Sequence, residues 1–155
     1  MERSILMEQE AVFRICGHHV FNLIWAYGMG KDHLGDETND FRKVFHKLMD
    51  NPSTDVAIII GVDDVCGQCK DNVGGKCQSY DGTISDKKVL EKLSLQEGTV
   101  MRWKDLVNMV AYRVKTEQDF LDIFSQETLE SRYEYFKKGI EKLTSTKQAE
   151  ANRAG

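Results

Sequence analysis

Three of the four cysteines lie in one short segment that contains glycines, at Cys66, Cys69 and Cys77. Thiolates are preferred ligands of zinc and of iron–sulfur clusters, and the Cys-x-x-Cys spacing lets two sulfur atoms of one turn reach the same metal. Glycines between the cysteines let the backbone come close enough to donate N–H hydrogen bonds to a cluster. The segment therefore predicts a bound metal or cluster.

The fourth cysteine, Cys16, lies far upstream, two residues before the pair His18-His19. A site with four ligands must therefore be assembled by folding. We expect Cys16 to be the fourth ligand because it stands at the head of an apolar helix beside the histidines; a buried free thiol is the alternative. Adjacent helical residues point about 100° apart, so we expect only one of His18 and His19 to meet the metal. That histidine could ligate or donate a hydrogen bond to a cluster sulfur, and a structural role is the alternative for each.

The spacing of the cysteines leaves the identity of the metal open. Zinc would accept Cys66, Cys69 and Cys77 together with one histidine or the upstream cysteine. A 4Fe-4S cluster accepts a compact run of three cysteines plus a distant fourth, which is what this chain offers. Zinc sites often use two Cys-x-x-Cys pairs, and only one is present. The spacing thus favours the cluster modestly, with a redox dithiol and inert thiols as further alternatives.

Two predicted strands and a helix must position these residues. Residues 12–15 alternate weakly and predict a strand that leads to the upstream cysteine, and the apolar stretch 17–27 predicts a buried helix. Residues 55–62 are β-branched and bounded by turn signals, which predicts a strand that runs directly into the cysteine segment. Asp63 and Asp64 follow this strand, where Asp side chains can accept backbone N–H bonds from residues just ahead and tighten a turn.

The remaining chain carries mostly helical periodicity. Helices are predicted near 38–48, 85–93 and 104–114, a short strand near 98–103, and a charge-rich helical extension over 116–143. The fold class is α+β, a helix-dominated single domain with a small sheet and a cysteine-rich metal loop. The domain comprises residues 1–143, and 144–155 are expected to form a polar, disordered tail.

Composition excludes several classes of protein. The chain has 155 residues and a formal net charge of −4, and no basic stripe is interleaved with aromatics, so nucleic-acid binding is not expected. The longest apolar run, 56–62, is too short to span a bilayer, and the N-terminus lacks the pattern of a signal peptide. We therefore expect a cytoplasmic protein without membrane contact, whose cysteines are metal ligands rather than disulfides.

Several short sequence pieces occur in a specific order. They are His18-His19 before an apolar helix, Asp63-Asp64-Val65-Cys66-Gly67-Gln68-Cys69 after a strand, Cys77, Asp86-Lys87-Lys88-Val89-Leu90, and Gly98-Thr99-Val100-Met101-Arg102-Trp103. This order, over about residues 12–115, resembles the domain of unknown function 1284 family. The resemblance implies a small prokaryotic iron–sulfur protein.

The chain departs from the family pattern in two places. The family carries a cysteine shortly after the His pair, where this chain has Asn22, and Cys16 lies before the pair instead. Family members also tend to carry a second cysteine cluster near the C-terminus, whereas no cysteine follows Cys77. The match therefore implies one site rather than two, and the ligand role of Cys16 is argued from its position.

These observations predict a small protein that binds one 4Fe-4S cluster through Cys16, Cys66, Cys69 and Cys77. The cluster would serve electron transfer, or chemistry at an open iron if Cys16 does not bind. The alternative is a structural zinc module whose C-terminal helices present an interaction surface or form a homo-oligomer. Either function implies a redox or protein partner that the sequence does not name. No catalytic motif is present, so the sequence leaves open whether the protein is an enzyme.

Overall fold

Six helices and two small sheets make up the described part of the chain, which comprises residues 12–32, 39–61, 63–64, 72–73, 76–77, 82–124 and 130–154 of a computed structural model. Side chains are described in these ranges except at 39–40, 72–73, 76–77, 82–83, 130–131 and 145–154. The elements are β1 (Phe13–Cys16), α1 (Gly17–Met29), α2 (Asn39–Asp50), β2 (Asp55–Ile59), β3 (Asn72–Val73), β4 (Lys76–Cys77), α3 (Gly82–Leu93), β5 (Val100–Arg102), α4 (Trp103–Arg113), α5 (Glu117–Ile123) and α6 (Glu130–Ala154). The helix-dominated α+β class predicted from the sequence is confirmed.

The larger sheet has the strand order β1-β2-β5. Strands β1 and β2 are parallel, with Cys16 opposite Ile59 at their carboxyl ends, and β5 pairs antiparallel with the start of β2. Strand β2 is shorter than the predicted 55–62 because Gly61, with a φ of +96°, turns the chain out of the sheet. Since the carboxyl ends of parallel strands lie at one edge, the end of β1 meets the segment that leads toward the downstream cysteines.

Helix α1 is the central element of the core. It is apolar on most sides and buries nine of its thirteen residues, as a helix enclosed by other elements must. Phe21 stacks on Phe136 of α6 at 5.2 Å between ring centroids, and Trp25 lies edge-on to Phe120 of α5 at 5.9 Å. The two tryptophans are core anchors, as predicted, since Trp25 and Trp103 are both buried.

Two glycines allow α1 and α6 to pack backbone against backbone. A Cβ at Gly28 would collide with the carbonyl oxygen of Tyr135, and a Cβ at Gly139 would collide with that of Ile24. The sequence predicts this helix over residues 17–27, and α1 extends two residues further, to Met29, because Gly28 serves the helix crossing. Gly30, whose φ of 76° forms the left-handed C-cap, ends the helix.

The C-terminal helix α6 packs one face on the core. Tyr133 and Phe136 of α6 are 7% and 1% exposed, because they pack into the aromatic cluster around α1. Tyr135 is half-buried. That the C-terminal helices present an interaction surface stays a prediction.

Helix α6 continues through Ala154, whereas a disordered tail was expected over 144–155. The segment carries Lys, Gln, Ala, Glu and Arg, which are strong helix formers, and it extends a helix already fixed by packing. Helix α3 likewise starts earlier than expected, so Ser85 lies buried inside it. Among the described residues, none of the helices combines the length and the apolar character needed to cross a membrane.

Candidate metal centre

Cys16 occupies the junction between β1 and α1. Its backbone is extended, at φ −74° and ψ 158°, so it is the N-cap of the helix, and its side chain is completely buried. Helix α1 can start here because Gly17 packs directly on α3: a Cβ on Gly17 would lie 2.9 Å from the carbonyl oxygen of Asp86. The local sequence Cys-Gly thus joins the edge strand β1 to α1 without room for a larger second residue.

Both histidines of the pair reach the Cys16 thiol. The Nδ1 atoms of His18 and His19 lie 3.3 and 3.1 Å from Sγ, and the two ring centroids are 4.2 Å apart. We expected only one imidazole to reach the site, but helical side chains tilt toward the N-terminus, and both therefore converge on the N-cap residue. Ligand atoms of the three residues lie within 4.8 Å of one another, so this group could hold a metal ion.

Asp63 links Cys16 to the segment that follows β2. Its buried carboxylate accepts the backbone N–H of Cys16, with 2.6 Å between N and Oδ2. The same oxygen lies 2.9 Å from Nδ1 of His19. One side chain therefore fixes both the backbone of the candidate ligand and the orientation of the neighbouring imidazole.

Asp86, from α3, holds both the imidazole and the backbone N–H of His18. Its Oδ1 lies 2.8 Å from Nδ1 of His18 and also accepts the His18 backbone N–H at 2.8 Å. Its Oδ2 accepts the backbone N–H of Gly61, where the chain leaves β2, at 2.8 Å. Because Asp86 is completely buried, these bonds are shielded from water and hold three elements together around the site.

The Cys16 sulfur lies in polar surroundings. It is at the N-terminus of a thirteen-residue helix, where the partial charge of the free N–H groups is positive. Two imidazoles lie beside it, each in contact with a buried carboxylate. Sulfur and nitrogen atoms grouped in this way are donors that metal ions accept, so the surroundings of Cys16 suit the predicted ligand role.

Asp64 extends the contact between β1 and the segment after β2. Its N–H donates to the carbonyl oxygen of Arg14 at 2.9 Å, and its Oδ2 accepts the Arg14 N–H at 2.7 Å. The described hydrogen bonds of Asp63 and Asp64 run back to β1 and α1. The turn ahead of them, which the sequence predicts that they tighten, lies outside the described residues.

Only some of the predicted ligands belong to the described residues. Cys66 and Cys69 lie outside the described residues, and Cys77 is described only through its backbone, in β4, where it pairs with Asn72 of β3. Cys16 is described fully, with the histidine pair around it. Asp86 was not identified as a site residue from the sequence. Its side chain is brought to the histidines only by the packing of α3, and no spacing signals this.

An open groove of about 540 Å³ lies away from these residues, beyond the C-terminal end of α1. It is lined in part by Tyr27, Phe45 and Lys142. His46 contributes to it and is 56% exposed on α2, paired with Asp32 at 2.8 Å. His33 lies outside the described residues. The groove shares no residue with the Cys16 centre.

Comparison with known families identifies the chain. A family model described as "Protein of unknown function (DUF1284)" matches residues 36–126, which is more than half of the sequence. The chain belongs to this family. The resemblance predicted from the sequence motifs is thereby confirmed. The match between the DUF1284 model and the chain includes Asp63, the three downstream cysteines and Asp86, and it begins after the Cys16 and His18-His19 group.

Neither a curated protein nor a solved structure matches this DUF1284 protein. Its chemistry must therefore be argued from its own residues. A Cys/His group that could bind a metal ion is the strongest chemical feature of its described part.

Proposed function

We propose that this DUF1284 protein binds one 4Fe-4S cluster through Cys16, Cys66, Cys69 and Cys77 and uses it to transfer electrons. The observation that carries the proposal is the parallel pairing of β1 with β2, which puts Cys16 at the sheet edge where the cysteine segment begins. Asp64 is bonded to β1 at that edge, and only Val65 separates it from Cys66, so the Cα atoms of Asp64 and Cys66 are at most about 7 Å apart.

The donor set also supports a cluster. All four cysteines of the sequence are used, and three of them come from a segment with glycines that allow close backbone approach. Two imidazole rings lie beside the buried Cys16 sulfur and give it the polar surroundings that tune metal-bound thiolates. When bound, the cluster would supply a one-electron redox centre.

The position of Cys16 favours a closed electron carrier over a cluster with an open iron. Its side chain is fully buried, and its backbone is fixed by the 2.6 Å bond to Asp63, so little freedom must be lost when it ligates. An open iron would require Cys16 to remain uncoordinated. In that case His18, which retains some exposure, would be the group nearest to a substrate.

The test is metal and sulfide analysis of protein isolated without oxygen. We expect about four iron and four sulfide per chain, with visible absorption that bleaches on reduction. Iron-free, colourless protein after anaerobic reconstitution would refute the proposal. Retention of the full cluster in Cys16→Ala, with altered reactivity toward small ligands, would select the open-iron version.

A structural zinc site is the second candidate, supported by a specific observation. Cys16 is flanked by two imidazoles, each in contact with a carboxylate, and mixed sulfur and nitrogen donors with outer carboxylates are typical of zinc. Stoichiometric zinc without visible absorption, together with unfolding on chelation, would select this function.

A further inference from the structure

The groove beyond the C-terminal end of α1 lies where three helices meet. Its described lining residues belong to the end of α1 and the three residues that follow it, to α2 and to α6. Gly30 leaves one wall open, because a Cβ built there would meet no atom within 4 Å. The volume of about 540 Å³ lies within the range of small-molecule sites, which is roughly 300–1,000 Å³. The groove therefore has room for a small molecule.

One side of the groove is aromatic. The ring centroids of Tyr27 and Phe45 lie 6.1 Å apart, and the two rings are tilted by 49°. Phe45 is buried and stacks on Phe41 of the same helix, whereas Tyr27 is half-buried and supplies more of the exposed ring surface. Aromatic side chains fixed in this way give the ring of a ligand an apolar surface to lie against.

Lys142 occupies the position that a cationic ligand would take. Its Nζ lies 5.2 Å from the centroid of the Tyr27 ring and donates to the Tyr27 carbonyl oxygen at 3.2 Å. An aromatic face and the carbonyl end of a helix both attract positive charge, and the lysine ammonium already meets both. A ligand that enters the groove therefore meets a positive charge at this wall.

The other charged groups leave the groove with a cationic excess. Asp32 supplies the carboxylate among the described lining residues, and its oxygens already face other side chains. Its Oδ2 lies 2.8 Å from Nε2 of His46, and its Oδ1 lies 3.5 Å from Nε of Arg42. Lys31 is exposed and forms no ion pair within the described part of the chain. Two ammonium groups and one paired carboxylate thus line the groove of a chain whose formal net charge is −4.

We propose that this groove binds a small organic anion, separately from the metal centre. A ring of the ligand packs against Tyr27, and its phosphate or carboxylate group is held by Lys31 and Lys142. The site is independent of the cluster because it shares no residue with the Cys16 centre. It also lies past the far end of α1, whose thirteen residues rise about 20 Å.

The first test is a titration of the isotope-labelled, full-length protein followed by NMR. The probes are adenosine monophosphate and benzoate, which join a ring to a phosphate and to a carboxylate, and adenosine, which lacks the charge. We expect at least one anion to shift the amide signals of Gly30, Lys31 and His46 saturably, and the tighter anion identifies the charged group. Adenosine should bind about tenfold more weakly or worse. Absence of saturable shifts with both anions, or equal binding of adenosine, would overturn the proposal.

Substitution of the lysines tests where the anion binds. Lys142→Met and Lys31→Met should each weaken binding of the tighter anion about fivefold or more, because each removes a charge and keeps most of the side-chain length. Lys142→Arg should retain binding, since the positive charge remains. Lys138→Met is the matched control, because this lysine is exposed one turn earlier on α6 and is not among the described lining residues. If Lys138→Met weakened binding as much as Lys142→Met, general attraction to surface charge would replace the proposed site.

Failure of this proposal is distinguishable from failure of the proposed function. The titration does not depend on whether iron and sulfide are found in the protein. Since Lys31, Lys138 and Lys142 are all exposed, we expect the variants to fold as the wild type does, which far-UV circular dichroism checks. The comparison of the anions with adenosine is made on the wild-type protein and decides the proposal even if a variant does not fold.

Discussion

The backbone N–H of Cys16 donates to Oδ2 of Asp63 across 2.6 Å, although 47 residues separate them in the sequence. This bond fastens the upstream candidate ligand to the segment that leads into the other three cysteines. It forms because β1 and β2 are parallel neighbours whose carboxyl ends coincide. The parallel pairing of β1 with β2 therefore brings Cys16 and Asp63 together in the candidate centre.

Removal of the Asp63 carboxylate should destabilise the protein even without metal. Asp63→Ala takes away the acceptor of the Cys16 N–H and of His19, and each buried donor that loses its acceptor costs about 1–3 kcal/mol. We expect a loss of about 3 kcal/mol in the free energy of unfolding, measured by urea denaturation of metal-free protein. Asp64→Ala is the matched control, because its side chain is a third exposed and should cost below about 1 kcal/mol. Equal losses would contradict this account.

Substitution of Gly139 tests the helix crossing. Gly139→Ala raises the helix propensity of α6 by about 1 kcal/mol but puts a methyl group against the carbonyl oxygen of Ile24. Backbone atoms of a packed helix cannot move aside cheaply, so we expect net destabilisation of about 2 kcal/mol. Glu141→Ala, at an exposed position of the same helix, should change stability by less than about 0.5 kcal/mol. Thermal unfolding followed by circular dichroism measures both, and a stabilised Gly139→Ala would refute the crossing.

Asp119 should make stability depend on acid. Hydrogen bonds from the backbone N–H groups of Lys115 and Thr116, the former being the larger effect, lower the pKa of Asp119 below its ordinary value. A carboxyl whose pKa is lower in the folded state stabilises the fold when ionised, and that contribution disappears as pH falls through the folded-state pKa. The stability advantage of wild type over Asp119→Asn should therefore be present near neutral pH, decline once the pH falls below about 4, and disappear at still lower pH.

Urea midpoints at several pH values measure this advantage. Glu117→Gln is the control, since Glu117 is exposed in the same first turn of α5 and lies outside the pair of residues that forms the capping box. It shows what the loss of a carboxylate outside the capping box does to the same urea midpoints. If the stability advantage of wild type over Asp119→Asn grew as the pH fell, the stabilising role of the ionised Asp119 would be refuted.

Loss of the Cys16 thiol should weaken cluster binding while the fold persists. Cys16→Ser preserves side-chain size but replaces the soft sulfur donor, so we expect iron retention during chelator challenge to fall about tenfold or more. Far-UV circular dichroism should remain that of the wild type, because the backbone bond to Asp63 does not involve the side chain. Unchanged iron retention would exclude Cys16 as a ligand.

The sequence alone determined the class of chemistry and the main elements. The Cys-x-x-Cys segment, the family, the strand into Asp63 and the buried helix after Cys16 are all readable, because ligand spacing and apolar periodicity are local properties. The predicted bounds of the helices were less accurate than their existence. The predicted end of α1, at residue 27, was two residues early, because Gly28 lies inside the helix where α6 crosses it.

Only the tertiary structure decided how the histidines are held and what surrounds the Cys16 sulfur. Asp86 is 68 residues from His18, and its contact with the imidazole depends on the packing of α3 against Gly17. The convergence of both rings on one sulfur depends on Cys16 being the N-cap of α1. Such contacts join residues far apart in the chain, so their partners are set by packing in three dimensions and leave no periodic pattern in the sequence.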